Sequence, residues 1–404
     1  MAIRLVEDKS RCCGCMACAD TCPCNAIHLK EDENGFVYPE ISADLCVECG
    51  RCMSVCPFRN ELPCESLQET YAASALNADL SESSSGAVFP SIAKNFIKSG
   101  GVVYGCAMSF DNNQLAIRHI RVDSEADLKL LKGSKYVQSD TRGIYELVKH
   151  DLRENRRVFF TGTPCQVDAL YWYLGKDDSD LYTADIVCHG VPSQDFFHSY
   201  ISFEEEKRNL HISNFVFRDK SEGWKLHGRM EGTDSEGNQK TVYFKPEDSS
   251  YYQLFLNRYT YRDSCYYCPF ASVKRAGNIT MADYWNIEIV HPEMLMEHGG
   301  IFDPQKGISA LVINNGKGRD LINTYGINLK LERSSYENAS RYNRQFVQPS
   351  SMPEGRERIL KNYHNGYPEV EKDYQAKLRI RKLKRRIRAA VPKSIKTAIR
   401  KIKG

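Results

Sequence analysis

Apolar and polar positions divide the chain into two styles. Near the N-terminus the clearest pattern is AIHLKEDENGFVYPEI, two short strand-like runs meeting at Asn34-Gly35, a favoured hairpin turn. A polar link, NELPCESLQET, follows, and longer apolar runs begin. GGVVYGCAMSF and LAIRHIRV read as strands, SEADLKLL and GIYELVKHDLREN as helices. RRVFFTGTPCQVDALYWYL joins an apolar strand to a helix through a Gly/Pro loop, and LYTADIVCHGVPSQDFFHSYISFEEE repeats that order. Alternation of this kind predicts a mixed α/β domain with some parallel strands, whose ligands collect beyond the strands' carboxyl ends. Cys165 and Cys188 stand at two such ends.

With 404 residues, 42% hydrophobic and 26% charged, the chain can bury a core in two or three domains. No run approaches the roughly 18 to 20 apolar residues of a spanning helix, and MAIRLVEDKSRCC lacks the apolar stretch of a secretory signal. A cytoplasmic protein is expected. In a reducing compartment, clustered cysteines bind metal or do redox chemistry rather than form disulfides.

Six of the sixteen cysteines fall within residues 11 to 27. Cys12, Cys15, Cys18, Cys22 and Pro23 read C-x2-C-x2-C-x3-C-P, and Cys46, Cys49, Cys52, Cys56 and Pro57 repeat the run with identical gaps. Zinc takes four ligands, usually as two pairs far apart, whereas this run supplies three close thiolates to one cubane 4Fe-4S cluster and a fourth to its neighbour. The expected sets are Cys12, Cys15, Cys18 and Cys56, and Cys22, Cys46, Cys49 and Cys52. Residues 1–60 resemble a bacterial two-cluster ferredoxin, with a pair of zinc knuckles as the alternative. Cys13, Cys24 and Cys64 fall outside the pattern and read as bystanders.

Four more thiols occupy loop positions further on: Cys165, Cys188, and the pair Cys265 and Cys268 with Pro269 behind it. Four is the number a third 4Fe-4S cluster requires. A C-x2-C redox pair beside two unrelated cysteines, or a zinc site, uses the same residues equally well. Cys106 is left inside a strand.

SSSGAVFPSIAK, KGSKYVQSD, FTGTPCQVDAL, DIVCHGVPS, FRDKSEGW, CYYCPFASVKRAGNITMADYW and GISALVINNGKG resemble, in order from about residue 70 to 330, the signatures of the coenzyme F420 hydrogenase/dehydrogenase beta-subunit family. The resemblance implies a mixed α/β domain that binds a flavin, usually FAD, and an Fe-S cluster, and that moves electrons between clusters and a hydride carrier such as coenzyme F420 or another reducible substrate. It favours the third cluster on the four loop cysteines. It extends to relatives encoded beside surface-polysaccharide genes, so reduction of a sugar- or lipid-linked intermediate is one role it allows. The chain departs from the family's usual GDFWG at Ala282, Tyr284 and Asn286, losing both glycines.

No G-x-G-x-x-G follows a strand, so a Rossmann dinucleotide site is not expected. Candidate flavin contacts are Ser84, Ser85 and Gly86, ahead of a helix whose N-terminus suits a phosphate; an ordinary Ser N-cap is the alternative. Lys132, Ser134, Lys135, Gln138 and Ser139 offer charge and hydrogen bonds to a pyrophosphate or to the flavin N1/C2 edge. Thr161, Gly162 and Thr163 allow close approach beside Cys165. Lys135 and His189 are candidate catalytic groups, His189 reading better as a hydrogen-bonding neighbour of cluster sulfur. Arg218, Trp224, Asp283 and Trp285 match family motifs, and a buried Trp with a surface ion pair explains them as well.

Between Tyr374 and Gly404 there are thirteen Lys/Arg and no Asp/Glu, so a chain of net charge +3 is acidic everywhere else. Leu378, Leu383, Ile387, Ile395, Ile399 and Ile402 recur among the bases at roughly helical spacing, with Pro392 interrupting. Such a tail lies on an anionic membrane surface; a nucleic-acid partner, for which no reading motif is present, and a solubilising tail are the alternatives.

The expected fold is α+β to mixed α/β: a two-cluster ferredoxin domain at 1–64, flavin-binding loops in 65–155, a third-cluster and substrate region in 156–345, and a basic helical tail at 372–404. The expected function is an iron-sulfur flavoprotein oxidoreductase or electron-transfer subunit working with a redox partner protein and a small hydride carrier or substrate, cytoplasmic and at most peripheral to the inner membrane face. A flavin-free electron carrier and a zinc-stabilised nucleic-acid protein are the competing readings.

Overall fold

A computed structural model describes residues 5–60, 67–76, 80, 82–111 and 113–390, with the backbone alone from 381 to 390. The N-terminal hairpin pairs β1 (Ile27–Glu31) with β2 (Val37–Ile41), turning through Gly35 at φ 72°. Each cysteine run ends in one helical turn, Ala17–Asp20 and Arg51–Ser54, and each turn follows a left-handed residue, Met16 at φ 63° and Gly50 at φ 73°. The duplication in the sequence is therefore also a duplication of backbone conformation.

The larger body is built on one eight-stranded sheet. Its strands are β3 (Glu69–Ala75), β4 (Val102–Asp111), β5 (Gln114–Val122), β6 (Val158–Gly162), β7 (Leu181–Ile186), β11 (Ile279–Asp283), β12 (Ser309–Ile313) and β13 (Leu329–Ser334), ordered β13-β3-β12-β11-β7-β6-β4-β5. β4, β6, β7 and β11 run parallel, and the remaining pairings are antiparallel. A second sheet, antiparallel, joins β8 (Leu210–Val216), β9 (Gly228–Asp234) and β10 (Gln239–Phe244). Mixed α/β architecture with parallel central strands is as expected. Strand β3, from the segment 65–155, lies between β12 and β13 of the segment 156–345, so these two stretches share one sheet.

Two apolar layers cover the sheet. Helices Val88–Lys98 and Gly316–Tyr325 bury Ile92, Phe96, Leu321 and Tyr325 against one face. Helices Ile144–Arg153 and Pro164–Leu174 cover the other, where Cys15, Ala17 and Val55 of the ferredoxin region join Val148, Phe160 and Leu170. The cluster-bearing hairpins are thus part of the main core. SEADLKLL forms only a short 3-10 turn, Asp127–Leu131, because Leu128 and Leu131 alone face inward.

The tail helix begins earlier than expected, spanning Tyr367–Ala390. Its start is anchored, since Tyr367, Val370 and Tyr374 are buried, the first two packing against helix Gln194–Arg208 and the small sheet. Residues 391–404, with Pro392, Ile395, Ile399 and Ile402, lie outside the described residues. No described helix is long and apolar enough to cross a membrane.

Candidate cluster sites and cofactor cavity

The thiols of the ferredoxin region lie in two neighbouring groups. Cys22, Cys46, Cys49 and Cys52, together with Cys24, line one pocket of about 340 Å³, and the backbone N–H of Ala26 donates to Cys22 Sγ at 3.3 Å. Cys18 faces Cys15, Cys12 and Cys56, and Cys56 in turn faces Cys15 and Cys12. Among the described residues, no three His, Cys, Asp or Glu side chains converge as around a single metal ion.

The second assembly is a cavity of about 540 Å³ beyond the carboxyl ends of β6 and β7. Cys165, Cys188, Cys265 and Cys268 all line it. Helix Pro164–Leu174 starts at Thr163 because Pro164 fits its first position and the Gln166 side chain accepts from the Thr163 backbone N–H at 3.0 Å. That start fixes Cys165, whose Sγ is 3.2 Å from Thr163 Oγ1. A buried ion pair ties the other loops: Arg275 Nη2 donates to Asp185 Oδ1 at 2.5 Å, and Asp185 Oδ2 accepts from the Gly277 N–H at 2.8 Å. Asp185 precedes Cys188 and Arg275 follows Cys268, so the pair sets one cysteine loop against the other.

Burial, with the neighbouring Cys165, pushes the thiols of Cys188 and Cys268 up to about 12 and about 11. Cys165 is shifted downward by hydrogen bonding from Cys13 first and from Thr163 as well. Thiols buried this close resist ionising together, because each thiolate would repel the next. Cys13 is therefore no bystander in position: it lines the cavity and reaches Cys165 from the first ferredoxin run. Cys64 lies outside the described residues.

All of Ser84, Ser85, Lys132, Ser134, Lys135, Gln138, Ser139, Thr161, Gly162, Thr163 and His189 line this same cavity, but several are already committed. Gly86 N–H donates to Ser309 Oγ at 2.9 Å and Ser85 Oγ to the Ile308 carbonyl at 3.0 Å, so neither is open to a phosphate. Ser84 Oγ accepts from Ser134 N at 2.7 Å. The Ser N-cap does not form either; Ala87, left-handed at φ 59°, occupies that position without a side-chain cap. Lys135 Nζ gives its protons to the carbonyls of Cys106, Leu130 and Lys132 at 2.9, 3.1 and 2.8 Å, and burial lowers it to about 8. It brings charge to the cavity, with its three N–H bonds engaged. Lys132 pairs with Glu82 at 2.9 Å. Gln138 turns to the ferredoxin region, donating to the carbonyls of Cys13 and Gly14 at 3.0 and 3.2 Å. His189 is also shifted downward, by desolvation on the cavity wall, although its residue remains exposed.

Several participants escaped sequence reading. His119 is 3% exposed, its ring between Ser139 Oγ and the Thr161 carbonyl, both at 3.0 Å, and burial lowers it to about 4. The neutral ring donates from Nε2 to that carbonyl, so Nδ1 accepts from Ser139, which itself accepts from Gln166 Nε2 at 2.9 Å. Asp168, a turn beyond Cys165, is pushed up to about 7 by burial and then by that cysteine. Nothing in single-residue patterning distinguishes these from ordinary core polar groups.

The family-motif residues do meet. Arg218 donates to Asp283 Oδ2 at 2.9 Å and to the Ser84 carbonyl at 3.1 Å, and lies over the Trp285 ring at 5.5 Å. Trp224 stacks on Trp285 with centroids 5.3 Å apart and donates to the same carbonyl. Asp283 Oδ1 is buried without a protein partner, on a residue of the cavity wall. Asn286 stands at φ 57°, a left-handed conformation that Asn tolerates in place of glycine.

Residues 155–338 match the family described as the C terminus of the beta subunit of coenzyme F420 hydrogenase/dehydrogenase, and residues 11–60 match the 4Fe-4S dicluster domain. The chain is thus related to the coenzyme F420 hydrogenase/dehydrogenase beta subunit through residues 155–338, with a 4Fe-4S dicluster domain ahead of them. These matches make it an iron-sulfur, oxidoreductase-like chain. It is 25% identical over 202 residues to the uncharacterized protein MJ1349 of Methanocaldococcus jannaschii, a match spanning 43% of this chain and 55% of that one. A 57-residue stretch, 14% of the chain, is 35% identical to the uncharacterized ferredoxin MJ0722 of the same organism and covers 73% of it. Among solved structures, a chain of the F420-reducing [NiFe] hydrogenase complex from Methanosarcina barkeri aligns with TM-score 0.43 and 12% identity, covering 76% of this chain and 96% of that one.

Proposed function

We propose that this chain is an iron-sulfur flavoprotein oxidoreductase, or the electron-transferring subunit of one. Two 4Fe-4S clusters are assigned to the crossed ferredoxin sets, a third to Cys165, Cys188, Cys265 and Cys268, and a flavin, FAD in this reading, to the adjoining cavity. The observation that carries the proposal is that one cavity of about 540 Å³ is walled at once by the four loop thiols and by the Ser83–Ser85, Gly133–Ser139 and Thr161–Thr163 loops. That size falls within the range of cofactor pockets.

The residues fit both groups. Four thiols and no imidazole or carboxylate are the donor set of a cubane cluster, while zinc needs its ligands converging on one point. For the flavin, Asp283 Oδ1 offers a buried, unpartnered acceptor, Trp285 an aromatic wall, and Lys135 a fixed positive charge. Bound there, a flavin supplies exchange between paired electrons on a hydride donor or acceptor and single electrons on clusters. The chain's own residues do the rest. Arg218 and Trp224 hold the Ser84 carbonyl, Lys220 Nζ holds the Ser85 carbonyl at 2.6 Å, and neutral His119 adds no positive charge of its own to the cavity. Coenzyme F420 is one candidate hydride partner and a sugar- or lipid-linked intermediate another.

Metal, sulfide and flavin counts on anaerobically purified protein test the proposal. About twelve Fe with one flavin is expected at four Fe per cubane, and about eight Fe removes the third site. Cys165→Ser and Cys268→Ser should each lower iron without disturbing the ferredoxin half. Absence of flavin absorption at ~450 nm would leave a simple electron carrier instead.

A further inference from the structure

Arg262 has the most unusual surroundings of any charged residue described. Its guanidinium is fully buried, at 0% exposure. Nε donates to the Cys12 carbonyl at 2.6 Å, Nη2 to the Val37 carbonyl at 2.9 Å and to Cys12 Sγ at 3.5 Å, and Nη1 to Gln138 Oε1 at 3.2 Å. The plane lies over Tyr38 at 4.1 Å and Phe36 at 5.4 Å. Among these partners the Cys12 sulfur is the one that can carry negative charge near neutral pH, since burial holds the Tyr38 phenol above its ordinary value. A buried cation without a counter-charge costs several kcal/mol, so the arrangement calls for a stable anion at that sulfur.

The same residue holds the opposite site by its backbone. Arg262 N–H donates to the Val191 carbonyl at 2.9 Å, three residues beyond Cys188, and its own carbonyl accepts from the Cys265 N–H at 2.9 Å. Gly14 leaves the room: a Cβ there would stand 2.4 Å from Gln138 Nε2 and 2.8 Å from Arg262 Nη1. By contrast Arg51 and Arg59, which line the outer ferredoxin pocket, are exposed. Water screens their charges severalfold more than that of a buried guanidinium.

We propose that Arg262 is a positioning residue that clamps the two cysteine sites together and raises the reduction potential of the inner ferredoxin cluster, on Cys12, Cys15, Cys18 and Cys56, above that of the outer cluster on Cys22, Cys46, Cys49 and Cys52. The proposal rests on the assignment of those eight thiolates, and not on the third cluster or the flavin. Reduction adds one electron, supplied in the test by a chemical reductant, and one negative charge to the cluster. A fixed neighbouring cation favours the more negative state. An electron entering at the exposed outer site then runs downhill toward the α/β cavity.

The test is an anaerobic redox titration of the full chain followed by electron paramagnetic resonance, with iron and sulfide counted for each variant and the outer signal identified through Cys49→Ser. Arg262→Gln should lower the equilibrium constant for reducing the inner cluster at least tenfold, about 59 mV for one electron, and leave the outer one unchanged. Arg262→Lys keeps the charge and should stay within threefold. Gln138→Met cuts the same bridge to the Cys13 and Gly14 carbonyls without removing charge, and should also stay within threefold. The proposal is overturned if Arg262→Gln keeps its iron and shifts neither potential, or if Gln138→Met shifts the inner cluster as far. Should Arg262→Gln lose ferredoxin iron, Arg262→Lys decides: a tenfold fall overturns the idea, retention supports it. Wild-type protein without ferredoxin iron defeats the ligand assignment itself.

Discussion

Around the outer ferredoxin pocket, Cys49 is exposed and Leu45, Val47 and Met53 are 49%, 66% and 46% exposed. Around the α/β cavity, Gln166, Arg275 and Ser139 are each 6% exposed and His119 3%. Both regions gather four half-buried or exposed thiols, yet the first brings one of them, Cys49, to the protein's edge, where an electron can enter by contact, and the second sets its four among buried titratable and hydrogen-bonding groups. The difference teaches that the site lined by buried polar groups is the electrostatically expensive one. Each charge there must be matched within the protein, whereas at the rim water does much of the matching.

The comparison predicts its own most damaging substitution. Arg275→Met leaves the Asp185 carboxylate, 0% exposed, without its cation. Breaking a buried pair on one side costs about 3–5 kcal/mol, whereas Arg51→Met at the exposed rim should change stability by no more than about 0.5 kcal/mol. Denaturant unfolding of both variants, with iron counts, checks this. Equal costs would erase the distinction between the two regions.

The same contrast explains what could be read before the fold was known. The ferredoxin ligands are local in sequence: eight cysteines and two prolines at fixed gaps state the chemistry, because the short helical turns after Met16 and Gly50 are themselves local. The strand-loop-helix units carrying Cys165 and Cys188 were legible for the same reason. The α/β cavity is not local. Gly86 is held by Ser309, Lys135 by Cys106 and Gln138 by Cys13, partners from 29 to 223 residues apart, so which donors remain free cannot be inferred from a run of small residues. His119 looked like one polar position in a strand, and only the β4–β5–β6 arrangement brings it between Ser139 and Thr161.

His119 offers the next test, in pH. Its folded value of about 4 lies below the unfolded value of about 6.5, so above pH 6.5 both states are neutral and the full stability is present. As pH falls from 6.5 toward 4 the unfolded chain takes up a proton that the folded chain refuses, and stability drops by about 1.4 kcal/mol per unit, about 3 kcal/mol in all. His119→Asn should flatten that part of the slope. A slope unchanged in the variant would mean that the ring titrates normally and that the cavity is wetter than its burial implies.

Gly86→Ala probes how rigid the enclosed wall is. Its Cβ would fall 2.2 Å from the Ala73 carbonyl oxygen and 2.8 Å from Ser309 N, both backbone atoms of paired strands. The wall must shift, at about 1–3 kcal/mol. Loss of flavin along with stability is expected, since Ser84 and Ser85 would move with it.

The smallest effect separates backbone from burial. Gly50 beside the outer site and Gly133 on the cavity wall are both left-handed, at φ 73° and 78°; a Cβ at Gly50 finds only Met53 Cε at 4.0 Å, and one at Gly133 finds nothing within 4 Å. Alanine at either position therefore meets conformational strain and no clash, about 1 kcal/mol in each case. If the two regions differ only in how deeply they bury their side chains, the two costs agree, and thermal unfolding of the pair reads that directly. A markedly larger cost at Gly133 would mean that the cavity wall already carries backbone strain, and the contrast between the two sites would then lie in the chain itself as well as in its surroundings.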